Sequence, residues 1–183
     1  DVINQLLPYT ELTFREGLPN LYCGMIVVIL LVLYALDQKV TLREKALNGV
    51  FMLFMFFSLN TNKLDFLWHG LHFPNQLPFR YTFVICFLLI GIAYKTFLDI
   101  DRFSIKHLWT ILAAGTGYYL AAQKLMAKQE YDLDLFLYGG IAWLIIYCGV
   151  MILYKKGYFL KQTFPVLIAI IIAAEMAAGA CIS

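Results

Sequence analysis

The chain has 183 residues, of which 62% are hydrophobic and only 14% are charged, and its formal net charge is +2. Soluble domains carry about 25% charged residues, so the composition excludes an ordinary water-soluble domain. No basic run suited to nucleic acid is present. We predict an all-α, polytopic bundle of transmembrane helices, because helices satisfy their own backbone hydrogen bonds in lipid.

Six charge-poor segments follow one another along the chain, and no linker or repeat separates them. A helix needs about 17–25 residues to cross a bilayer, and the second segment reaches that length only with its flanking residues. We predict one transmembrane domain over residues 1–183, with a short helix or re-entrant loop on the outer face. The predicted spans cover residues 19–36, 44–61, 80–98, 107–122, 135–154 and 163–180.

Positive charges concentrate on alternate connections between these spans. The connections before spans two, four and six carry three Lys or Arg residues each, and the positive-inside rule places them in the cytoplasm, with both chain ends outside. These nine residues are Lys39, Arg43, Lys45, Lys95, Arg102, Lys106, Lys155, Lys156 and Lys161. The opposite side carries Arg15, Lys63, Arg80, Lys124 and Lys128.

The first residue is Asp1 rather than Met, and no signal-peptide pattern follows it. We therefore expect a piece of a longer protein. The four cysteines are far apart in apolar segments and form no CxxC motif. This spacing favours packing roles over a zinc site or a redox motif.

Polar residues gather between Asn62 and Tyr81, in the stretch NKLDFLWHGLHFPNQLPFRY. If residues 62–72 form a short helix, its apolar side chains lie on one stripe. Asp65, His69 and His72 then lie at i, i+4 and i+7 on another face. We predict that this face binds a ligand at the outer surface.

The rest of this stretch suggests what the ligand is. Gly70 weakens the short helix, and Pro74 ends it by the preceding residue. Arg80 lies in the first turn of the third span, where a cation opposes the helix dipole. Free N–H groups beside an arginine favour phosphate instead. Asn75 suits a turn, and Asn20 occupies a similar Pro-Asn pair before span one.

Ordinary structural roles stay open for the same residues. Trp68 suits an interfacial aromatic belt, an isolated interfacial histidine is more often structural, and Arg80 suits snorkelling to lipid headgroups. Asp65, His69 and His72 also have a spacing that could hold a divalent metal. No further ligand is evident in the sequence, so we predict no cofactor.

Glu175 is the acidic residue within the last span. A carboxylate inside a membrane is costly unless it is paired or close to the surface. We place it about two turns from the outer end. A structural hydrogen bond or an interfacial position is favoured there over catalysis.

The stretches GLPNLYCG and LDFLWHGLHFPNQLPFRYTF resemble the YfhO family of bacterial polytopic membrane proteins. The resemblance is most specific over Gly17–Leu98, where the residues fit the family signature WHG…PN.LP.R. The rest of the chain agrees in layout but has weaker motifs.

This resemblance implies a membrane glycosyltransferase of the GT-C type in the bacterial cytoplasmic membrane. Such enzymes take a sugar from a polyprenyl-phosphate carrier and transfer it outside the membrane to a cell-envelope polymer, notably lipoteichoic acid. Family members are much longer, and their principal catalytic acid would precede Asp1. The chain would then belong to the later part of the membrane domain and form one wall of the site.

A lipid-linked sugar donor needs an apolar groove, a phosphate site and polar groups for the sugar. On this basis Arg80 binds the phosphate, with His69 or His72 assisting, and Trp68 stacks on a sugar face. The remaining site candidates have secondary roles: Asn75 and Asn20 hold the loop or bind hydroxyls, and Asp65 is an accessory base or sugar ligand.

Two other functions stay open. A transporter or flippase for a lipid-linked or anionic substrate would favour ionisable residues deep in several spans and broken helices. A non-catalytic scaffold for envelope assembly would need neither. The collection of polar residues at one surface favours the transferase.

Overall fold

The computed structural model describes residues 4–9, 20–59, 81–126 and 133–182, together with residues 61, 64, 66, 68, 70 and 71. Throughout this part of the chain the secondary structure is helical, without a β-strand, which confirms the predicted fold class there. The helices are α1 (Met25–Leu36), α2 (Leu42–Leu59), α3 (Thr82–Leu98), α4 (Ile105–Met126), α5 (Leu133–Lys155) and α6 (Thr163–Ile182).

Five of these helices lie within a few residues of the predicted spans, but α1 begins later than expected. Residues 20–24 are not helical, and Gly24 has φ +100° and ψ 144°. Residues other than glycine rarely adopt this backbone conformation. Gly24 therefore sets the start of α1 and leaves a helix of only 12 residues.

Two helical stretches are long and apolar enough to cross a membrane, Leu135–Lys155 in α5 and Thr163–Cys181 in α6. Helices α1 and α3 are apolar but shorter. Two helices of sufficient length fit membrane insertion. The number of six spans stays a prediction.

The core forms where two helix pairs meet. Helix α4 packs along α5, α1 packs along α3, and α1 also contacts α5. Fully buried side chains from four helices fill the centre, including Leu33, Ile85, Leu108 and Met151. Helix α6 contacts α5 more sparsely. In this arrangement α1 contacts α3, α4 and α5.

Helices α2 and α6 keep apolar faces outside this core. Leu53 and Phe57 of α2 are exposed, as are Val166 and Ile170 of α6. Apolar surfaces of this kind are compatible with lipid tails.

The three connections that carry three positive charges each meet at one end of the bundle. Arg102 lies 3.6 Å from the Asp37 carboxylate, which joins the α3–α4 connection to the α1–α2 connection. Lys161 donates to Asp101 at 3.0 Å, which joins the α5–α6 connection to them. Their common position agrees with the alternation seen in the sequence, while the side of the membrane they face stays a prediction.

Candidate functional site

The most polar point inside the bundle is Glu175 of α6, whose residue surface is only 2% exposed. Its carboxyl oxygens accept three hydrogen bonds, which come from two other parts of the chain, the start of α1 and α5. The backbone N–H of Met25 donates at 2.9 Å and the Tyr147 hydroxyl donates at 2.6 Å. The Tyr22 hydroxyl donates to the same oxygen as Met25. We call Glu175, Tyr22, Tyr147 and the Met25 N–H the carboxylate cluster.

This cluster forms because α1 needs a cap that its own sequence does not provide. Met25 is the first residue of α1, and the first N–H groups of a helix have no partner within the helix. Gly24 is the N-cap residue and offers no side chain. The Glu175 carboxylate supplies the missing acceptor, and the positive end of the α1 dipole favours its negative charge.

Gly24 is required by its backbone conformation rather than by lack of space. A Cβ atom at this position would lie 3.5 Å from Glu175 Oε2, in ordinary contact, while the backbone φ of +100° disfavours any larger residue. A glycine therefore lets α1 start directly beside the acid.

The cluster lies within the bundle rather than at its surface. Helix α1 is 12 residues long, and Glu175 follows Thr163 by the same number of positions, which corresponds to about 18 Å of helix. Seven residues separate Glu175 from the end of α6 at Ile182, or about two turns. The expected structural hydrogen bonds are observed, as is the distance of about two turns from a helix end. That this end faces outward stays a prediction.

An apolar cavity of about 300 Å³ adjoins the cluster between α1 and α4. Its walls include Val28, Ile29 and Ile111, and Met25 belongs to both the cavity wall and the cluster. Tyr119 also lines the cavity, and its hydroxyl is buried without a hydrogen-bond partner among the described residues. A buried hydroxyl in this state is uncommon, and this one packs against Gly140 of α5.

Most residues that the sequence singles out fall outside the described part of the chain, so their roles stay predictions. These are Asp65, His69, His72, Asn75 and Arg80. Among the residues that are described, no group of three metal-ligating side chains occurs. The spacing that could hold a metal therefore stays untested.

Asn20 and Trp68 are described. Asn20 is exposed and precedes the non-helical stretch that leads to α1. Trp68 is 40% exposed and stacks on Tyr81, with ring centroids 5.2 Å apart and planes 19° apart. This stacking joins the middle of the polar stretch to the start of α3. It suits both an interfacial aromatic belt and a platform for a sugar ring.

The short helix of the polar stretch ends earlier than residue 72. Phe66 and Trp68 are helical, but Gly70 has φ +68° and the Leu71 N–H donates to the Phe66 carbonyl at 3.0 Å. This is the hydrogen bond of a Schellman motif, in which a left-handed glycine terminates the helix. The helix predicted over residues 62–72 therefore ends before Leu71.

Sequence reasoning singled out Glu175 but missed most of its partners. An acid within an apolar helix signals that a partner exists, yet it does not say which. Tyr147 belongs to another helix, and the Met25 N–H is a backbone group that no sequence motif marks. Only the packing of α5 and α6 around the start of α1 identifies them.

Comparison with known proteins gives one match. The family model described as "Bacterial membrane protein YfhO" matches residues 1–183. No curated protein and no solved structure matches significantly. The family match covers both the signature region and the carboxylate cluster, and it confirms the family that the signature predicted.

Proposed function

The chain belongs to the YfhO family of bacterial membrane proteins, and from this premise we propose that it is part of a membrane glycosyltransferase. The enzyme takes a sugar from a polyprenyl-phosphate carrier and transfers it to a cell-envelope polymer such as lipoteichoic acid, on the extracytoplasmic face. The observation that carries the proposal is the apolar cavity beside the carboxylate cluster.

The cavity suits the lipid part of the donor. A prenyl chain is purely apolar, and its burial is favoured by surfaces that hold no unpaired polar groups. The wall between α1 and α4 is almost entirely aliphatic or aromatic. The exceptions are the hydroxyls of Tyr118 and Tyr119, and the Tyr119 hydroxyl packs against Gly140 of α5.

The phosphate would bind at the start of α3. This helix begins at Thr82, so Arg80 immediately precedes its free N–H groups. A helix N-terminus and an arginine together form a strong site for an anion. His69 and His72 would assist there, and Trp68 would stack on the sugar.

Asn75 and Asn20 would hold the loop or bind sugar hydroxyls, and Asp65 would be an accessory base or sugar ligand. Glu175 has a different role in this scheme. Its three hydrogen bonds fix the start of α1, so we propose a positioning role for it.

The cavity can be tested by narrowing it. Ala114 lines the cavity, whereas the neighbouring Ala113 is exposed and does not. In the purified full-length protein, Ala114→Leu should raise the KM for a polyprenyl-phosphate sugar donor, while Ala113→Leu should leave it unchanged. Transfer of labelled sugar to lipoteichoic acid is the measurement. Equal KM values for the two variants would remove the cavity from donor binding.

The phosphate site is tested by Arg80→Ala. This change should abolish sugar transfer while the protein remains inserted in the membrane and folded. The same assay measures transfer, and elution as a monodisperse species in detergent checks folding. Near-normal turnover in this variant would remove Arg80 from the mechanism.

A transporter or flippase is the second candidate, and two observations favour it. Glu175 lies deep in the bundle, and α1 starts within the bundle after a non-helical stretch. Helices interrupted in the membrane, with their N-termini facing an anion, are typical of secondary transporters. Purified protein in vesicles separates the candidates: a transferase converts the donor chemically, whereas a flippase moves it across the bilayer unchanged, and a scaffold does neither.

A further inference from the structure

Two of the four cysteines, which the sequence places far apart, come together in the structure. Cys23 immediately precedes Gly24 at the start of α1, and Cys86 lies one turn into α3. Cys23 Sγ lies 3.3 Å from the carbonyl oxygen of Leu21, and Cys86 Sγ lies 4.0 Å from the same oxygen. Both sulfur atoms therefore lie beside one carbonyl oxygen, which brings the two side chains into the same small region. All four cysteines are free in the structure, and the packing role expected for this pair stays a prediction.

The surroundings hold the pair in place but leave it reachable. Leu21 is completely buried, and α1 packs along α3, so the backbone on both sides is fixed. Cys23 and Cys86 are only half-buried. The other two cysteines differ, because Cys148 lies in the core and Cys181 is exposed on α6.

We propose that Cys23 and Cys86 are the site of a disulfide bond that joins the start of α1 to the start of α3. The predicted orientation puts both residues in the extracytoplasmic half of the bundle, on the side of the membrane where disulfides persist. The bond closes a loop of chain that contains the whole polar stretch from Asn62 to Tyr81. It thereby ties the start of α1 to the helix that directly follows that stretch, whichever function the protein has.

The bond forms by exchange with the disulfide of an extracytoplasmic thiol oxidoreductase. One cysteine loses its proton and attacks a sulfur of the donor disulfide, which gives a mixed disulfide and releases one donor thiolate. The second cysteine loses its proton and attacks the mixed disulfide at the protein's own sulfur. The Cys23–Cys86 bond forms and the second donor thiolate leaves. The two protons convert the donor thiolates to thiols, so the donor gains the two electrons that the cysteines lose.

The test measures the redox state of the full-length protein in its own membranes. Free thiols are blocked with N-ethylmaleimide under denaturing conditions, disulfides are reduced, and the released thiols receive a second, heavier maleimide. Peptide mass spectrometry then reports each cysteine separately. Cys23 and Cys86 should carry the heavy label, and the unreduced digest should contain their cross-linked peptide.

Single variants provide the matched controls. In Cys23→Ser, Cys86 should become reactive to the first maleimide, and Cys86→Ser should expose Cys23 in the same way. Cys181→Ser should leave the cross-linked peptide unchanged. The proposal is overturned if N-ethylmaleimide blocks both Cys23 and Cys86 of the unmodified protein before reduction. It is also overturned if one of these cysteines still receives the heavy label in the variant that lacks the other.

A second measurement detects the mechanical effect of the bond. Lys63 and Arg80 lie in or beside the polar stretch and are cleavable by trypsin. Reduction of the membranes should accelerate cleavage there several-fold in the unmodified protein. It should have no effect in Cys23→Ser, which already lacks the bond. Equal cleavage rates before and after reduction in the unmodified protein would contradict a bond that restrains this stretch.

Discussion

At the scale of single residues, Glu175 and Gly24 depend on each other. Glycine offers α1 no side-chain cap, and the carboxylate from α6 replaces that cap. Buried donors that lose their acceptor cost about 1–3 kcal/mol each. Glu175 satisfies Tyr22, Tyr147 and the Met25 N–H at once, so one side chain holds together three parts of the fold.

We expect Glu175→Ala to lower the free energy of unfolding by at least about 2 kcal/mol, because three buried donors lose their acceptors. Glu175→Gln should lower the free energy of unfolding by less, since the glutamine amide oxygen can still accept a hydrogen bond from the Met25 N–H. Unfolding of the detergent-solubilised protein by denaturant, followed by tryptophan fluorescence, gives both values. An alanine variant as stable as the unmodified protein would mean that the cluster contributes nothing to folding.

At the scale of elements, α5 carries a notch formed by Gly139 and Gly140. The Tyr9 ring packs over Gly139, and the Tyr119 ring packs over Gly140. Trp143 of the same helix donates from its indole nitrogen to the Tyr9 hydroxyl at 2.9 Å. Glycines thus let two tyrosines from other segments approach the α5 backbone, which explains part of the close packing between α4 and α5.

Gly140→Ala should destabilise the protein by about 1–3 kcal/mol, because the added methyl group overpacks the interface. Its Cβ would lie 2.3 Å from Tyr119 Cζ, and α5 and α4 would have to separate. Gly149→Ala is the matched control on the same helix, since nothing lies within 4 Å of its Cβ position. Alanine there should stabilise the helix by about 0.5–1 kcal/mol. Thermal unfolding in detergent measures whether each variant is less or more stable than the unmodified protein. A Gly140→Ala variant of unchanged stability would show that the notch is not tightly packed.

At the scale of the whole molecule, charged side chains hold three connections together at one end of the bundle. Asp101 contacts Lys161 and Tyr154, and Arg102 contacts Asp99 and Asp37. Exposed ion pairs of this kind contribute only about 0–1 kcal/mol each. Their main effect is to fix how the connections lie relative to one another.

The hydrogen bond from Lys161 holds the pKa of Asp101 below its ordinary value of 3.8. Because the folded pKa is lower than the unfolded pKa, the stabilisation is fully present above the unfolded value. It is lost as the pH falls below 3.8 and through the folded pKa. Asp101→Asn should therefore lower the melting temperature slightly at neutral pH, and the difference from the unmodified protein should vanish in strong acid.

High salt should also reduce the difference in melting temperature between Asp101→Asn and the unmodified protein, because salt screens exposed charges. Lys106→Gln is the control on the same connection, since no ion pair of Lys106 is found within the described residues. An Asp101→Asn effect that is the same at every pH would show that the contact does not act through charge.

The orientation of the bundle is tested by labelling single cysteines in a variant without the native ones. A cysteine in place of Lys156 should react with a membrane-impermeant maleimide only after the cells are permeabilised, because the positive-inside rule places this connection in the cytoplasm. A cysteine in place of Gln129, between α4 and α5, should react in intact cells. The reverse pattern would invert the predicted topology.

Most of the helices could be predicted because an apolar segment without charges has few stable alternatives in a membrane. The start of α1 could not, because five apolar or neutral residues before Met25 look like helix in composition. The end of the short helix at Gly70 was also missed. A lone glycine weakens a helix in sequence terms, but only its φ value shows that it ends one.

The sequence by itself determined the helical class, the charge alternation and the family, since these depend on composition and local motifs. The tertiary structure decided which groups meet. Glu175 meets Tyr147 and the Met25 N–H, and Cys23 and Cys86 meet beside the Leu21 carbonyl, only because helices far apart in sequence pack side by side. Contacts between distant segments depend on helix packing and on where glycines permit close approach, and a local sequence pattern predicts neither of these.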